Sequence, residues 1–281
     1  MERVEQPARE ARQRARSGSG WYAALARFGL VAEGASYGIV AVLAIGVAAH
    51  WGGRATSRQG ALHALARHGW GKALLALLAI GFAAYAIWRF VEAFAEHGVG
   101  GAAEKWGKRA GYVGRGLIYA GLTYSAVELL TGSGRQQSQT QKAHQTTAEV
   151  FSWTGGRWLV GIAGACIVAA GLWNLYRGVS RKFEDRWRIG AMSRTEQKWG
   201  GRAGIAGHLA RAFVLALIGI FVTKAAIDYN PSDALGLDGA LQKLARAGYG
   251  PYLLGLTAAG LFCYGLYCLV DARYRDVSAN G

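Results

Sequence analysis

Glu33, Arg115 and His208 are ionisable side chains set inside long apolar runs. Each lies six residues beyond the Arg of an Arg-x-Gly triplet: Arg27-Phe28-Gly29, Arg109-Ala110-Gly111 and Arg202-Ala203-Gly204. At membrane depth such groups are costly unless they face one another or a watery cavity. Tyr37 and Tyr119 follow Glu33 and Arg115 by four residues, so each pair shares a helix face. An acid, a guanidinium and an imidazole meeting on one axis, with Arg211 close by, have the chemistry of a proton relay, an ion pathway or a polar binding pocket. The same charges also suit ion pairs that dictate which repeat neighbours which. A second set, Glu92, Arg177 and Asp271, ends three stripes at helical spacing, the first being Gly81, Tyr85, Trp88 and Glu92. The candidate sites are therefore an axial polar cluster (Glu33, Arg115, His208, Arg211, Tyr37, Tyr119) and a cytoplasmic-end charge ring (Glu92, Arg177, Asp271).

Helices that cross an apolar layer must position these groups. Six stretches, about 28–49, 73–95, 110–130, 157–176, 203–227 and 247–270, are long and nearly free of charge. About 20 apolar residues span the hydrocarbon layer as a helix. Trp21, Trp51, Trp70, Trp106, Trp153, Trp158, Trp187 and Trp199 fall near the ends of these runs, at the level amphipathic rings prefer. Only Trp88 and Trp173 lie further inside. A soluble helical protein accounts for neither the run lengths nor the Trp placement. The chain's 52% hydrophobic content excludes disorder, the missing Gly-X-Y period excludes collagen, and three Cys, all at span positions, exclude a disulfide scaffold. Its modest mean hydropathy of +0.13 averages apolar runs with charged joints.

Of the 32 Lys and Arg, twenty lie at the N-terminus, the joints after the second and fourth runs, and the C-terminus; the opposite joints hold ten. That bias places both termini in the cytoplasm. The first apolar run is too long for a cleaved signal.

The chain also repeats itself. Besides the three Arg-x-Gly triplets, Gly71, Gly156 and Gly250 mark register in the even runs, giving Tyr85/Ala170/Tyr264, Trp88/Trp173/Tyr267 and Glu92/Arg177/Asp271. Residues 60–71 (GALHALARHGWG) and 239–250 (GALQKLARAGYG) agree at eight of twelve positions. The middle copy carries a polar insert there, Ser133 to Gln145. Each copy reads as a helix, an outward loop with a short amphipathic helix, and a helix back. The expected fold is all-α: six transmembrane helices as three parallel-oriented hairpins around a pseudo-threefold axis. A tail (1–20), helical in part or disordered, precedes units at 21–98, 105–188 and 198–276.

This pattern resembles a family of bacterial integral membrane proteins known as domain of unknown function 1206. The residues that carry the likeness are Arg27, Arg109 and Arg202 with their glycines, Tyr37 and Tyr119, the joints Gly69-Trp70-Gly71 and Gly248-Tyr249-Gly250, and the stripes Tyr85–Trp88–Glu92 and Tyr264–Tyr267–Asp271. The third copy departs at Ala212, and the second lacks the Gly-aromatic-Gly joint. The resemblance implies a bacterial plasma-membrane address and this architecture, and brings no reaction, ligand or catalytic residue with it.

The expected function is non-enzymatic: a small transporter, channel or binding protein with a polar site on the repeat axis, or a scaffold whose ion pairs are structural. No cofactor or metal is expected. His50, His63 and His68 lack ligand spacing, no P-loop or His-Glu-x-x-His occurs, and Gly201-x-x-Gly204-x-x-Gly207 follows no strand. Glu128, Lys224 and Asp228 sit at the outer ends of the third and fifth runs, where pairing or snorkelling accounts for them. The eight Lys/Arg of 177–202, with Trp187 and Trp199 among them, suit anionic lipid headgroups rather than nucleic acid, at about 1 kcal/mol per charge.

Overall fold

The computed structural model describes residues 5–49, 62, 71–95, 102–132 and 138–276. Six long helices form three hairpins in chain order. The first is α1 (Glu5–Ala48) with α2 (Gly71–Ala95), and the second α3 (Ala102–Thr131) with α5 (Gly156–Val179). The third is α6 (Arg194–Ile227) with α8 (Gly250–Tyr274). Two short helices, α4 (Gln139–Phe151) and α7 (Leu237–Ala245), lie in the connections of the second and third hairpins. Among the described residues there is no strand, only an isolated bridge between Trp187 and Arg275. Five helices are long and apolar enough to cross a membrane. The 30-residue α3 has the length, but its polar and small residues, Arg115 among them, keep it out of that set.

Local chemistry sets the helix starts. Ser193 Oγ accepts from Glu196 N while the Glu196 carboxylate accepts from Ser193 N, a capping box that opens α6; Ser138 and Gln141 open α4 in the same way. Pro251 lies in the first turn of α8, where its missing N–H costs nothing. The tail continues α1 as helix from Glu5.

One contact recurs between successive hairpins. Gly34 of α1 faces Gly265 of α8, Gly116 of α3 faces Phe90 of α2, and Gly171 of α5 faces the Ala212 backbone of α6. A Cβ on Gly34 would lie 2.8 Å from the Gly265 carbonyl oxygen, so only glycine lets these backbones meet. A stripe of Gly164, Gly171 and Gly178, spaced by seven, seats α5 along α6.

A second contact, within the hairpin, is made twice. A Cβ on Gly29 would lie 2.5 Å from Tyr85 Cβ, and one on Gly207 2.5 Å from Tyr264 Cα; Gly81 meets Ala32 as Gly260 meets Ala210. Among the described residues, α3 and α5 of the middle hairpin have no packed interface. Gly111 and Gly114 face open space, and Cys166 and Ala170 are exposed. The buried side chains accordingly fall into two large groups, one on α1, α6 and α8 and one on α1, α2 and α3.

These contacts correct the register of the third repeat. Gly207 does in α6 what Gly29 does in α1, three residues beyond the match that Arg202 and Arg27 suggest. Glu33 therefore corresponds to Arg115 and Arg211, whereas His208 corresponds to Leu30 and Tyr112. A run with Gly200, Gly201, Gly204 and Gly207 offers a glycine in either register, and only the packing against Tyr264 decides. The lipid-belt reading of Trp187 also fails. The chain between α5 and α6 folds as two 3-10 turns, Glu184–Arg186 and Ile189–Ala191, that tuck Phe183 and Trp187 under the third hairpin, 0% and 5% exposed.

Candidate functional site

The axial cluster is built from one turn of α1, one of α6 and one of α8. Glu33 is buried, its Oε1 3.5 Å from Arg211 Nη1 and 3.3 Å from the Tyr264 hydroxyl that donates to it. Arg211 donates to the same Tyr264 hydroxyl, and its guanidinium lies 4.4 Å from the Tyr264 ring centre and 5.4 Å from that of Tyr37. Tyr37 meets Tyr264 edge-on at 4.8 Å. Two tyrosine faces thus cradle a guanidinium whose charge one carboxylate compensates, the arrangement a buried ion requires.

His208 is close to this pair but not bonded to it. Its Nδ1 donates to the Gly204 carbonyl at 2.8 Å, and its ring stacks on Phe183 at 5.0 Å and on the edge of Tyr267 at 5.0 Å. The sequence register put it on the axis. The structure puts it one turn away, as a satisfied aromatic plug.

Arg115 and Tyr119 sit across from α2. Tyr119 packs on Tyr85 at 4.2 Å and on Phe82 at 5.8 Å. Arg115 is half-buried, within electrostatic reach of Arg89, Arg177 and Arg211 and of the Tyr85 hydroxyl. No carboxylate pairs with Arg115 or Arg177 among the described residues. Arg115 of α3 and Arg177 of α5 are within electrostatic reach of each other, on two helices that make no packed interface among the described residues.

The charge ring expected of Glu92, Arg177 and Asp271 does not assemble. Glu92 accepts from Arg89, three residues back on its own helix, and Arg89 also donates to the Tyr85 hydroxyl at 2.6 Å while lying 4.1 Å from the Trp88 ring. Asp271 accepts from Arg275 at 2.9 Å and from Trp187 Nε1 at 3.0 Å. Each acid takes an in-helix partner, because i, i+3 and i, i+4 side chains are already adjacent. Arg275 reaches over the Trp88 ring at 4.9 Å and joins the two pairs into one cluster, leaving Arg177 out. Arg89 and Arg275 were not singled out in the sequence, although their spacing from Glu92 and Asp271 was the available signal.

At the opposite end, Lys224 bonds Asp228 and, at 2.9 Å, Asp233, so the pairing expected there is present, and the ammonium holds the Asp233 carboxyl below its ordinary pKa. Arg157 donates to the Ala226 and Ile227 carbonyls at 2.7 Å each, capping α6 from α5. The Tyr229 hydroxyl donates to the Phe151 carbonyl, and its ring stacks on Phe151 at 4.7 Å. Asp238 Oδ1 accepts from Thr140 N and Oγ1, and Thr140 Oγ1 accepts from Gly236 N and Gly239 N. The α4–α5 segment is thus tied to the third hairpin, not to α3. Among the described residues no three His, Cys, Asp or Glu cluster as a metal would need; His50, His63 and His68 lie outside them.

The sequence profile of the family described as Domain of Unknown Function (DUF1206) matches the chain three times, at residues 28–96, 110–181 and 206–275. The matches open on Phe28, Ala110 and Ala206, each five residues before Glu33, Arg115 and Arg211, the register that the helix contacts select. The chain is also 30% identical to the uncharacterized protein YxxB of Bacillus subtilis (strain 168) over 259 residues, covering 92% of this chain and 93% of that one. No solved structure matches it.

Proposed function

The chain belongs to the DUF1206 family, and from that premise we propose that it is a non-enzymatic, multi-pass protein of the bacterial plasma membrane that binds, and carries across, a small anion. Six helices span the bilayer as three hairpins about a pseudo-threefold axis, with both termini in the cytoplasm and the basic joints against anionic lipid headgroups. The recurring Gly34, Gly116 and Ala212 contacts support the arrangement of the hairpins, five apolar helices support the bilayer, and the Bacillus subtilis relative supports the bacterial setting.

The anion reading rests on one observation. Where Glu33 stands in the first repeat, the other two carry Arg115 and Arg211; Arg211 neutralises Glu33, and no carboxylate among the described residues pairs with Arg115. A guanidinium within the apolar layer needs a counter-charge or water, and an anionic solute held by Arg115, with Arg177 at the rim, supplies it. In nanodiscs, calorimetric titration with phosphate, sulfate, chloride and small carboxylates should give saturable binding for at least one. Arg115→Gln should weaken that binding ten-fold or more, and proteoliposome flux of the bound anion should fall with it.

The in-helix pairs Arg89–Glu92 and Asp271–Arg275 favour a second reading, a scaffold in which charge serves only assembly. That reading wins if no anion binds and Arg115→Gln raises thermal stability.

A further inference from the structure

The middle hairpin is open in this structure, yet its residues keep the means to close. In the two closed hairpins one position pairs Ala32 with Gly81 and Ala210 with Gly260. The corresponding pair in the middle hairpin is Gly114 with Cys166, so the glycine has changed sides and one small residue still faces one glycine. At the neighbouring position Gly29·Tyr85 and Gly207·Tyr264 become Gly111·Ala170, again with the glycine kept. Among the described residues nothing lies within 4 Å of a Cβ on Gly111 or Gly114, so none of them fills this face. Open glycines weaken a helix by up to about 1 kcal/mol each relative to Ala, and no contact in the open form offsets that.

We propose that α5 swings onto α3 to close this crevice in the register of the other two hairpins, Cys166 seating on Gly114 and Ala170 on Gly111, and that the movement gates the axial site. The Ala170 side chain, standing where the others carry Tyr, leaves room beside Arg115 and Arg177 for a bound ion when the helices meet. α5 stays seated on α6 along Gly164, Gly171 and Gly178, and α4 and Arg157 tie its outer end to the third hairpin, so the third hairpin travels with α5 as it closes. The gating depends on the anion reading above; the closure itself does not.

The test is cysteine crosslinking in the full chain, in nanodiscs, on a Cys263→Ala and Cys268→Ala background. One chain carries Gly114→Cys with native Cys166, and a second carries Gly111→Cys, Ala170→Cys and Cys166→Ala. A protease site in the 133–137 connection reports whether the halves stay joined after oxidation or treatment with a short bifunctional thiosulfonate. Both pairs should join within one chain, and phosphate or the competent anion from the titration should raise the rate at least three-fold. A short-chain phosphatidate tested in parallel separates a lipid headgroup from a free anion as the source of that response. If neither pair joins while maleimide labels every thiol, closure is overturned; joining between two chains overturns it equally. Joining at a rate indifferent to all these anions overturns the gate. Joining without any anion binding in the titration sinks the functional reading and the gate with it, and leaves the closure standing.

Discussion

The first and third hairpins are shut and the middle one is open, though all three are variations on one residue pattern. The shut hairpins each insert a tyrosine, Tyr85 or Tyr264, against a glycine of the partner helix, and each ends in an acid bonded to an arginine of its own helix. The middle hairpin has Ala170 and Arg177 at those positions. It loses the aromatic contact area, which is about 150–250 Å² for a typical buried ring, and gains an arginine with which no carboxylate among the described residues pairs. Association of helices in a bilayer rests on close packing and polar contacts rather than on expulsion of water, so losing one wedge and one acid weakens a pair that the ties of α5 to the third hairpin then hold apart. The three repeats thus share one register, and the open hairpin differs from the shut ones at two of its positions.

The largest expected effect breaks the axial pair. Glu33→Gln removes the carboxylate beside Arg211 and should cost about 3–5 kcal/mol of unfolding free energy. Arg115→Gln, which strands no partner, should change it by less than about 1 kcal/mol. Denaturant titration of both in the same detergent compares them directly, and equal losses mean that the two arginines are not in different situations. Next comes the hairpin glycine. Gly207→Ala places a methyl group 2.5 Å from Tyr264 Cα and should cost about 1–3 kcal/mol, whereas Gly111→Ala, at the matching open position, should stabilise by up to about 1 kcal/mol. Thermal unfolding midpoints moving in opposite directions would sharpen the contrast.

A smaller effect follows from loosening the tie between α4 and α7. Thr140→Val removes the hydroxyl that bonds Asp238, Gly236 and Gly239, for a loss of about 1 kcal/mol. Crosslinking between positions 114 and 166 should change rate in that variant, while the two shut hairpins keep their protection from hydrogen exchange. The smallest effect is a pH dependence. The Lys224 ammonium depresses the Asp233 pKa, so the contribution of this pair is complete above the ordinary aspartate value of about 3.9 and disappears as pH falls through the lower folded value. Acid titration should destabilise the wild-type corner at Pro231–Asp233 over that window, and Asp233→Asn should abolish the dependence.

Much of the architecture is written in periodicity. Charge-free runs near 20 residues, glycine register marks and the repeated joint motif point to helices in pairs, because span length and close approach constrain residue type directly. The site was less legible. His208 occupies the position that the Arg202 triplet predicts, but a helix face rich in glycine at three- and four-residue spacing admits two registers, and only the partner helix distinguishes them. Glu92 and Asp271 were read as members of a ring between repeats, when Arg89 and Arg275 on the same helices were nearer. Trp187 carried the signature of an interfacial aromatic and is instead bonded to Asp271 in the interior. The separation of α3 from α5 depends on what α5 binds elsewhere, through Arg157, Phe151 and Thr140, and no local pattern encodes that competition.

The seam between α8 and α1 bears on how the protein is made. Gly34 waits for Gly265 and Glu33 for Arg211, partners that emerge from the ribosome well over a hundred residues later. Until then α1 resides in the bilayer with an acid and a bare glycine face, while later hairpins assemble beside it. Contacts of such long sequence separation are the slow ones to form. The newborn first helix is thus the segment most in need of a temporary companion, and its seam is filled only when the last helix arrives.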